Sequence, residues 1–317
     1  MIGRALVLAL CAGLTLRAQP ASRPVRAGLD VPALAAAVDA TLGAHGEGVA
    51  ASLWLGGADG DAWFARDVDT PRPTASAIKT FYLVELYARF AGALDRPLPG
   101  VDAALADDAH PAIGHFTPEQ RAEVRRELTG ATVRHVGLVM MGSAPASNIV
   151  YNAAANLVTV ALGGPDALTA AIRRRDPAFA TVAARRYMLR NRRERGDNEA
   201  PARALAVLYQ RLASRRLAGI DAASMDAIHT ALRRQDDPAL GRHYDKGGDL
   251  DSDPLTMVRA GWYGTAKGPL VYVVMTMQPG PGPAGREAST SKLGKTADAL
   301  AGTLVQAGWT SLTSSAR

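Results

Sequence analysis

One cysteine, Cys11, and five lysines, Lys79, Lys246, Lys267, Lys292 and Lys295, are all that the 317 residues contain of those two types. Cys11 lies inside an apolar leader, so the exported protein is expected to carry neither a disulfide nor a thiol nucleophile. The six histidines, His45, His110, His115, His135, His229 and His243, are scattered without paired spacing, which gives no metal-ligand pattern. No internal repeat and no heptad pattern occurs, and no apolar run beyond the leader is long enough to cross a bilayer. The scarcity of lysine against a background of arginine is informative. Where this chain uses Lys, a titratable amine is wanted that Arg cannot supply.

With 48% hydrophobic residues the chain can bury a sizeable core. Met1-Ile2-Gly3-Arg4, an apolar run over residues 5–16 and Arg17-Ala18-Gln19-Pro20 read as a secretory signal peptide, residues 1–26, ahead of one domain over residues 27–317. Leu10 is bulky where a lipid-attachment signal carries a small residue, so Cys11 is not read as an anchor and the product is expected in the periplasm or outside the cell. The net charge of +6 is spread over arginine runs such as Arg173-Arg174-Arg175, read as solvated faces. With an export signal present, no nucleic-acid partner is expected.

Asp30 should cap a helix over 31–42, and strands are expected over 48–55 and 63–66, joined by Gly56-Gly57-Ala58-Asp59-Gly60-Asp61. Helical patterns fill 118–128, 133–141, 149–162, 167–174, 201–218 and 222–234, with Gly163-Gly164-Pro165 marking a stop and restart. Strand patterns return over 242–250, 256–263 and 269–277, and a helix over 290–307 closes the chain. Strands at both ends with helices between describe an α+β protein. A sheet layer from about 27–66 and 240–317 would meet a helical subdomain from about 67–239.

The chain is organised around residues 73–90. From Phe81 to Phe90 almost every face is apolar, which predicts a helix through the middle of the domain. Pro71 and Pro73 disfavour helix just before it, so Ser76 falls in its first turn. Lys79 lies one turn further along the same face, within reach of the Ser76 hydroxyl. A serine beside an amine whose pKa is lowered by burial is an activated nucleophile.

Ser76-Ala77-Ile78-Lys79, Lys246-Gly247-Gly248-Asp249 before a two-stranded hairpin, and the asparagine-rich run 146–157 stand in an order that resembles the penicillin-recognising serine hydrolases. These are the class A β-lactamases and their relatives among penicillin-binding proteins. The resemblance spans nearly all of the chain after the leader. It implies a β-lactamase/transpeptidase-like fold, a five-stranded antiparallel sheet flanked by helices, and it implies acyl transfer without metal or organic cofactor. Of the family boxes S-x-x-K, S-x-N and K-T-G, the first is intact. The third lacks its threonine, replaced by Gly247. The second fits in two registers, with Asn152 or Asn148 as the box asparagine, and neither gives Ser-x-Asn; Ser147 could supply the lost hydroxyl. Laying the family's R-x-E-x-x-x-N over residues 185–191 puts Tyr187 at the deacylating glutamate, and the nearest acid is Glu194.

The resemblance thus assigns catalytic roles to Ser76, Lys79, Ser147, Asn152 and Lys246, and substrate contacts to Asn148, Gly248, Asp249, Arg259 and Tyr187. The substrate it implies is a β-lactam or a peptidoglycan-like peptide, taken by a monomer. Three expectations stand side by side: a β-lactamase-like hydrolase, a slowly deacylating D,D-peptidase or transpeptidase-like protein, and a binding protein of the same fold without turnover.

Overall fold

The computed structural model describes residues 26, 28–281 and 285–314; residues 1–25 of the leader, with Cys11, lie outside the described residues. Asp30 accepts a hydrogen bond from the Ala33 N–H and starts α1 (Val31–His45). A hairpin of β1 (Ala50–Gly56) and β2 (Phe64–Arg66) follows, then the short β3 (Arg72–Pro73), a 3-10 turn (Ala75–Ile78) and α2 (Lys79–Arg89). The helical stretch comprises α3 (Val101–Ala106), α4 (Pro118–Leu128), α5 (Val133–Met141), α6 (Asn148–Ala161) and α7 (Pro165–Arg175). The short α8 (Arg192–Arg195) and β4 (Glu199–Ala200) lead to α9 (Ala202–Ala213) and α10 (Ala222–Leu232). The chain ends with β5 (Arg242–Asp245), β6 (Gly248–Leu250), β7 (Leu255–Thr265), β8 (Gly268–Gln278) and α11 (Arg286–Ser314).

Helix bounds follow capping chemistry. Thr117 and Gln120 form a reciprocal capping box at the start of α4, and Thr132 caps α5 before Gly142, in the left-handed region, ends it. Gly164 and Pro165 restart the chain into α7.

The main sheet is antiparallel in the order β2, β1, β8, β7, then β5 and β6 along the far edge. Tyr244 pairs with Trp262 and Gly248 with Val258, so β5 and β6 are one strand in one register with a two-residue break at Lys246 and Gly247. Five strand positions result, as expected. Side chains alternate across the strands. Val258, Ala260, Trp262, Val271, Val273 and Met275 join the core shared with the helices, while Leu255, Met257, Leu270, Tyr272 and Val274 pack under α1 and α11. The sheet is therefore buried on both faces. Helix α9 lies against β1, β7 and β8; α5, α6, α7 and α10 pack on α2, and α3 and α4 pack on α6.

Helix α2 is buried from Lys79 to Tyr87. Its one acid, Glu85, is clamped by both ends of the Arg175 guanidinium at 2.5 and 2.9 Å. Removing one partner of such a buried pair typically costs about 3–5 kcal/mol.

Candidate active site

Ser76 sits on the 3-10 turn rather than in α2 itself, and Lys79 is the first residue of α2. Ala75, immediately before the serine, has φ +49°. A left-handed conformation costs an L-residue roughly 1–2 kcal/mol and is held only where neighbours impose it. The neighbour here is Gly248 on β6. A Cβ at that position would lie 2.3 Å from the Ser76 nitrogen and 2.9 Å from the Ala75 Cβ, so the strand can approach the turn only as glycine.

The same strand supplies a backbone donor. The Lys246 N–H bonds to Ala260 O at 3.0 Å, which makes Lys246 and Gly248 members of hydrogen-bonded pairs with β7. Asp249 alternates with them, so its N–H points away from β7, off the sheet edge, beside the residue that touches Ser76. Its side chain points to the opposite face, toward Arg259, which bonds Asp249 at 2.5 Å and Asp298 of α11 at 2.6 Å. Arg259 is therefore neutralised under α11, on the face of the sheet away from Ser76.

Lys79 is fully buried. Its Nζ donates to Asn152 Oδ1 at 2.9 Å and lies 3.1 Å from the centroid of the Tyr151 ring. Burial first, and repulsion from Lys246 second, hold the amine well below the ordinary lysine range. Lys246, on the inner face of the edge strand, places its Nζ 5.3 Å from the same ring and donates to Gly247 O at 3.0 Å. Tyr209 of α9 ties the two lysine-bearing elements together: its hydroxyl is 3.1 Å from Thr80 Oγ1 and donates to Lys246 O at 3.4 Å. The Lys79 amine bonds to Asn152, and no hydrogen bond joins it to the Ser76 hydroxyl.

Of the two asparagine registers, Asn152 is the one that reaches Lys79. Asn148, one turn earlier, accepts from the Asn152 amide through its backbone oxygen at 2.8 Å and its side-chain oxygen at 2.9 Å. Ser147 is exposed and its hydroxyl accepts from the Val150 N–H, so it is spent on capping α6. Tyr151, between the two lysines, was not anticipated. The signal available was the one aromatic residue of α6, next to Asn152.

A cleft of about 610 Å³ opens over this assembly, with Ala75, Ser76, Asn148 and Asn152 on one wall, residues 188–193 on another and Asp249 to Asp253 on a third. The loop from Arg185 to Asn198 is fixed by buried polar groups. Asn156 donates to Ala112 O and Met188 O and accepts from the Met188 N–H, while Asn198 accepts from the N–H groups of Arg185 and Arg186. Asp197 is held by Arg186 at 3.1 Å and by Arg192 at 2.6 Å, and Arg192 reaches on to Ser252 O and Oγ. Tyr187 faces elsewhere: together with Glu194 it lines a separate cavity of about 330 Å³ behind the loop. Among the described residues, the acids lining the cleft are Asp197, Asp249, Asp251 and Asp253.

An antiparallel five-position sheet covered by helices on both faces is the fold of the β-lactamases to which this chain is similar. The chain is similar in structure to a β-lactamase from Sphaerobacter thermophilus DSM 20745, at 23% identity over 87% of this chain and 98% of the other, TM-score 0.57. It is similar to a β-lactamase from Burkholderia vietnamiensis, at 19% identity over 83% and 94%, TM-score 0.58. It is also similar to the TLA-1 extended-spectrum β-lactamase, at 10% identity over 87% and 99%, TM-score 0.62. At these identities what is shared is the fold. No protein-family model matches the sequence, and no curated protein matches it.

Proposed function

We propose that the chain is an exported serine hydrolase that forms an acyl-enzyme at Ser76 with β-lactams or related amides. The observation that carries this reading is the buried Lys79 amine, held beside Asn152 and opposed by Lys246, one turn from a half-buried serine that lines an open cleft. A neutral amine at that place can accept the Ser76 proton as the hydroxyl attacks a carbonyl. Catalytic hydrogen bonds are often long in the free protein and tighten with substrate bound. The Ser76 and Asp249 N–H groups would receive the developing oxyanion, and Lys246 would supply positive potential to an anionic substrate. Asn152 is the box asparagine in this reading, and Asn148 lines the way in.

A second reading is favoured by the acids. Asp197 is engaged by two arginines and the Asp249 carboxylate by Arg259 beneath the sheet, and Glu194 lies outside the cleft. No glutamate is among the cleft-lining residues described. An acyl-enzyme without the family's glutamate to activate water should persist, as in a slowly deacylating penicillin-binding-like protein. The test of acylation is labelling of the purified protein with a fluorescent penicillin. Label is expected on the wild type and absent from Ser76→Ala at equal folded content; label that survives this substitution sinks the assignment.

A further inference from the structure

Tyr151 has no part in the chemistry set out above, yet its ring is the surface against which both lysines lie, 3.1 Å from Lys79 Nζ and 5.3 Å from Lys246 Nζ. We propose that the face of the Tyr151 ring is the positioning group for Lys79, holding its nitrogen beside Asn152 and stabilising the ammonium that forms when the Ser76 proton is transferred. The inference rests on the reading that Ser76 is acylated.

Burial and Lys246 both penalise a charge on Lys79, which suits a base waiting for a proton but opposes the step in which it takes one. An aromatic face is electron-rich and attracts a cation more strongly than a neutral amine, so the contact gains strength as the proton arrives. In that step the Ser76 Oγ–H bond breaks, its proton goes to Lys79 Nζ, the Oγ–C bond forms and the carbonyl π pair moves onto oxygen. When the tetrahedral species collapses, the C–N bond breaks and the same proton returns from Lys79 to the leaving nitrogen. The ammonium exists only between these events, which is when the ring acts. The ring rather than the phenol carries the role, because the lysine nitrogens bond to Asn152 Oδ1 and Gly247 O and neither bonds to the Tyr151 hydroxyl.

The test compares Tyr151→Phe with Tyr151→Leu, and with Tyr151→Met should the leucine variant not fold, all in the mature protein. Two readouts are taken across pH: the rate of acylation by a penicillin, and the titration of Lys79 followed by NMR of labelled lysine side chains. With five lysines in the chain, the Lys79 signal is assignable by its loss in Lys79→Met. The phenylalanine variant should match the wild type in Lys79 titration and stay within about threefold in rate. In the leucine variant the ammonium loses its partner, so the titration and the acid limb of the rate profile should move down by about half to one pH unit. Its plateau rate should fall about tenfold or more. Titration and rate unchanged in the leucine variant would overturn the proposal, as would a phenylalanine variant as impaired as leucine, which would assign the role to the phenol. A wild type that is never acylated would count against the function of Ser76 alone, and the lysine titration would still decide whether the ring holds Lys79.

Discussion

Lys79 carries the account at the scale of single residues, and its buried amine has a consequence for stability. The folded state holds its pKa below the unfolded value, so between the two values the unfolded chain binds more protons and stability rises with pH. The contribution is most unfavourable below the folded pKa and the penalty is gone above the unfolded one. Lys79→Met is therefore expected to be more stable than the wild type at neutral pH, with the gap narrowing as pH is raised toward the ordinary lysine range. Thermal melts of both proteins at several pH values check this, and a gap that widens with pH would contradict it. Gly248 gives a second prediction. A Cβ there meets the Ser76 nitrogen at 2.3 Å, so Gly248→Ala should displace strand from turn. The expected cost is about 1–3 kcal/mol in stability and, through the misplaced oxyanion donors, about 100-fold in acylation rate, read by denaturant melts and stopped-flow labelling. Spacing in the sequence was enough to bring Ser76 and Lys79 forward as candidates, because helical periodicity places them one turn apart, whereas Lys246 came forward through the family resemblance. It left Asn148 and Asn152 undecided, since both lie on one face of α6, and only the position of α2 shows which reaches Lys79. Tyr151 went unread because its partners come from two other elements.

Helix ends marked by strong caps were the most legible. Residues 118–128 and 133–141 match α4 and α5 because Thr117, Thr132 and Gly142 mark their ends chemically. Helix α9 stops at Ala213, five residues short of the apolar pattern, where Arg215 turns into the left-handed region. Helix α11 runs from Arg286 to Ser314, beyond the expected 290–307, because Gly308 is packed against Leu270 and Leu55 of the sheet and Ser311 and Leu312 beyond it are still buried. The loop from Arg185 to Asn198 could not be foreseen, since its shape comes from side-chain bonds to backbone many residues away. Asn156 alone joins α6 to Ala112 and to both polar groups of Met188. Asn156→Ala strands the Ala112 oxygen and the Met188 N–H, while the Met188 oxygen keeps His115 Nε2 at 3.0 Å, and a loss of about 2–4 kcal/mol is expected. Limited proteolysis should show earlier cleavage within residues 185–197; a variant as stable and as resistant as the wild type would mean that the loop is held elsewhere.

Across the whole molecule, the α+β reading rests on alternation. Period-two patterns over 242–250, 256–263 and 269–277 became one edge strand and a long central hairpin, buried on both faces by helices that the sequence placed before and after them. The cleft lies where the edge of that sheet meets the start of α2, so the fold brings Gly248 and Asp249 from late in the chain to Ser76 from early in it. No single helix among those described is long and apolar enough to cross a membrane. Ser76 is expected to become covalently acylated. Its most direct test is the intact mass of the mature protein after incubation with a penicillin, followed over time. The expected result is a mass gain of one penicillin, mapped by peptide analysis to Ser76 and absent from Ser76→Ala; rapid decay of the adduct would mark a hydrolase and slow decay a penicillin-binding-like protein. A wild type that gains no mass at any time and leaves the penicillin intact would contradict it.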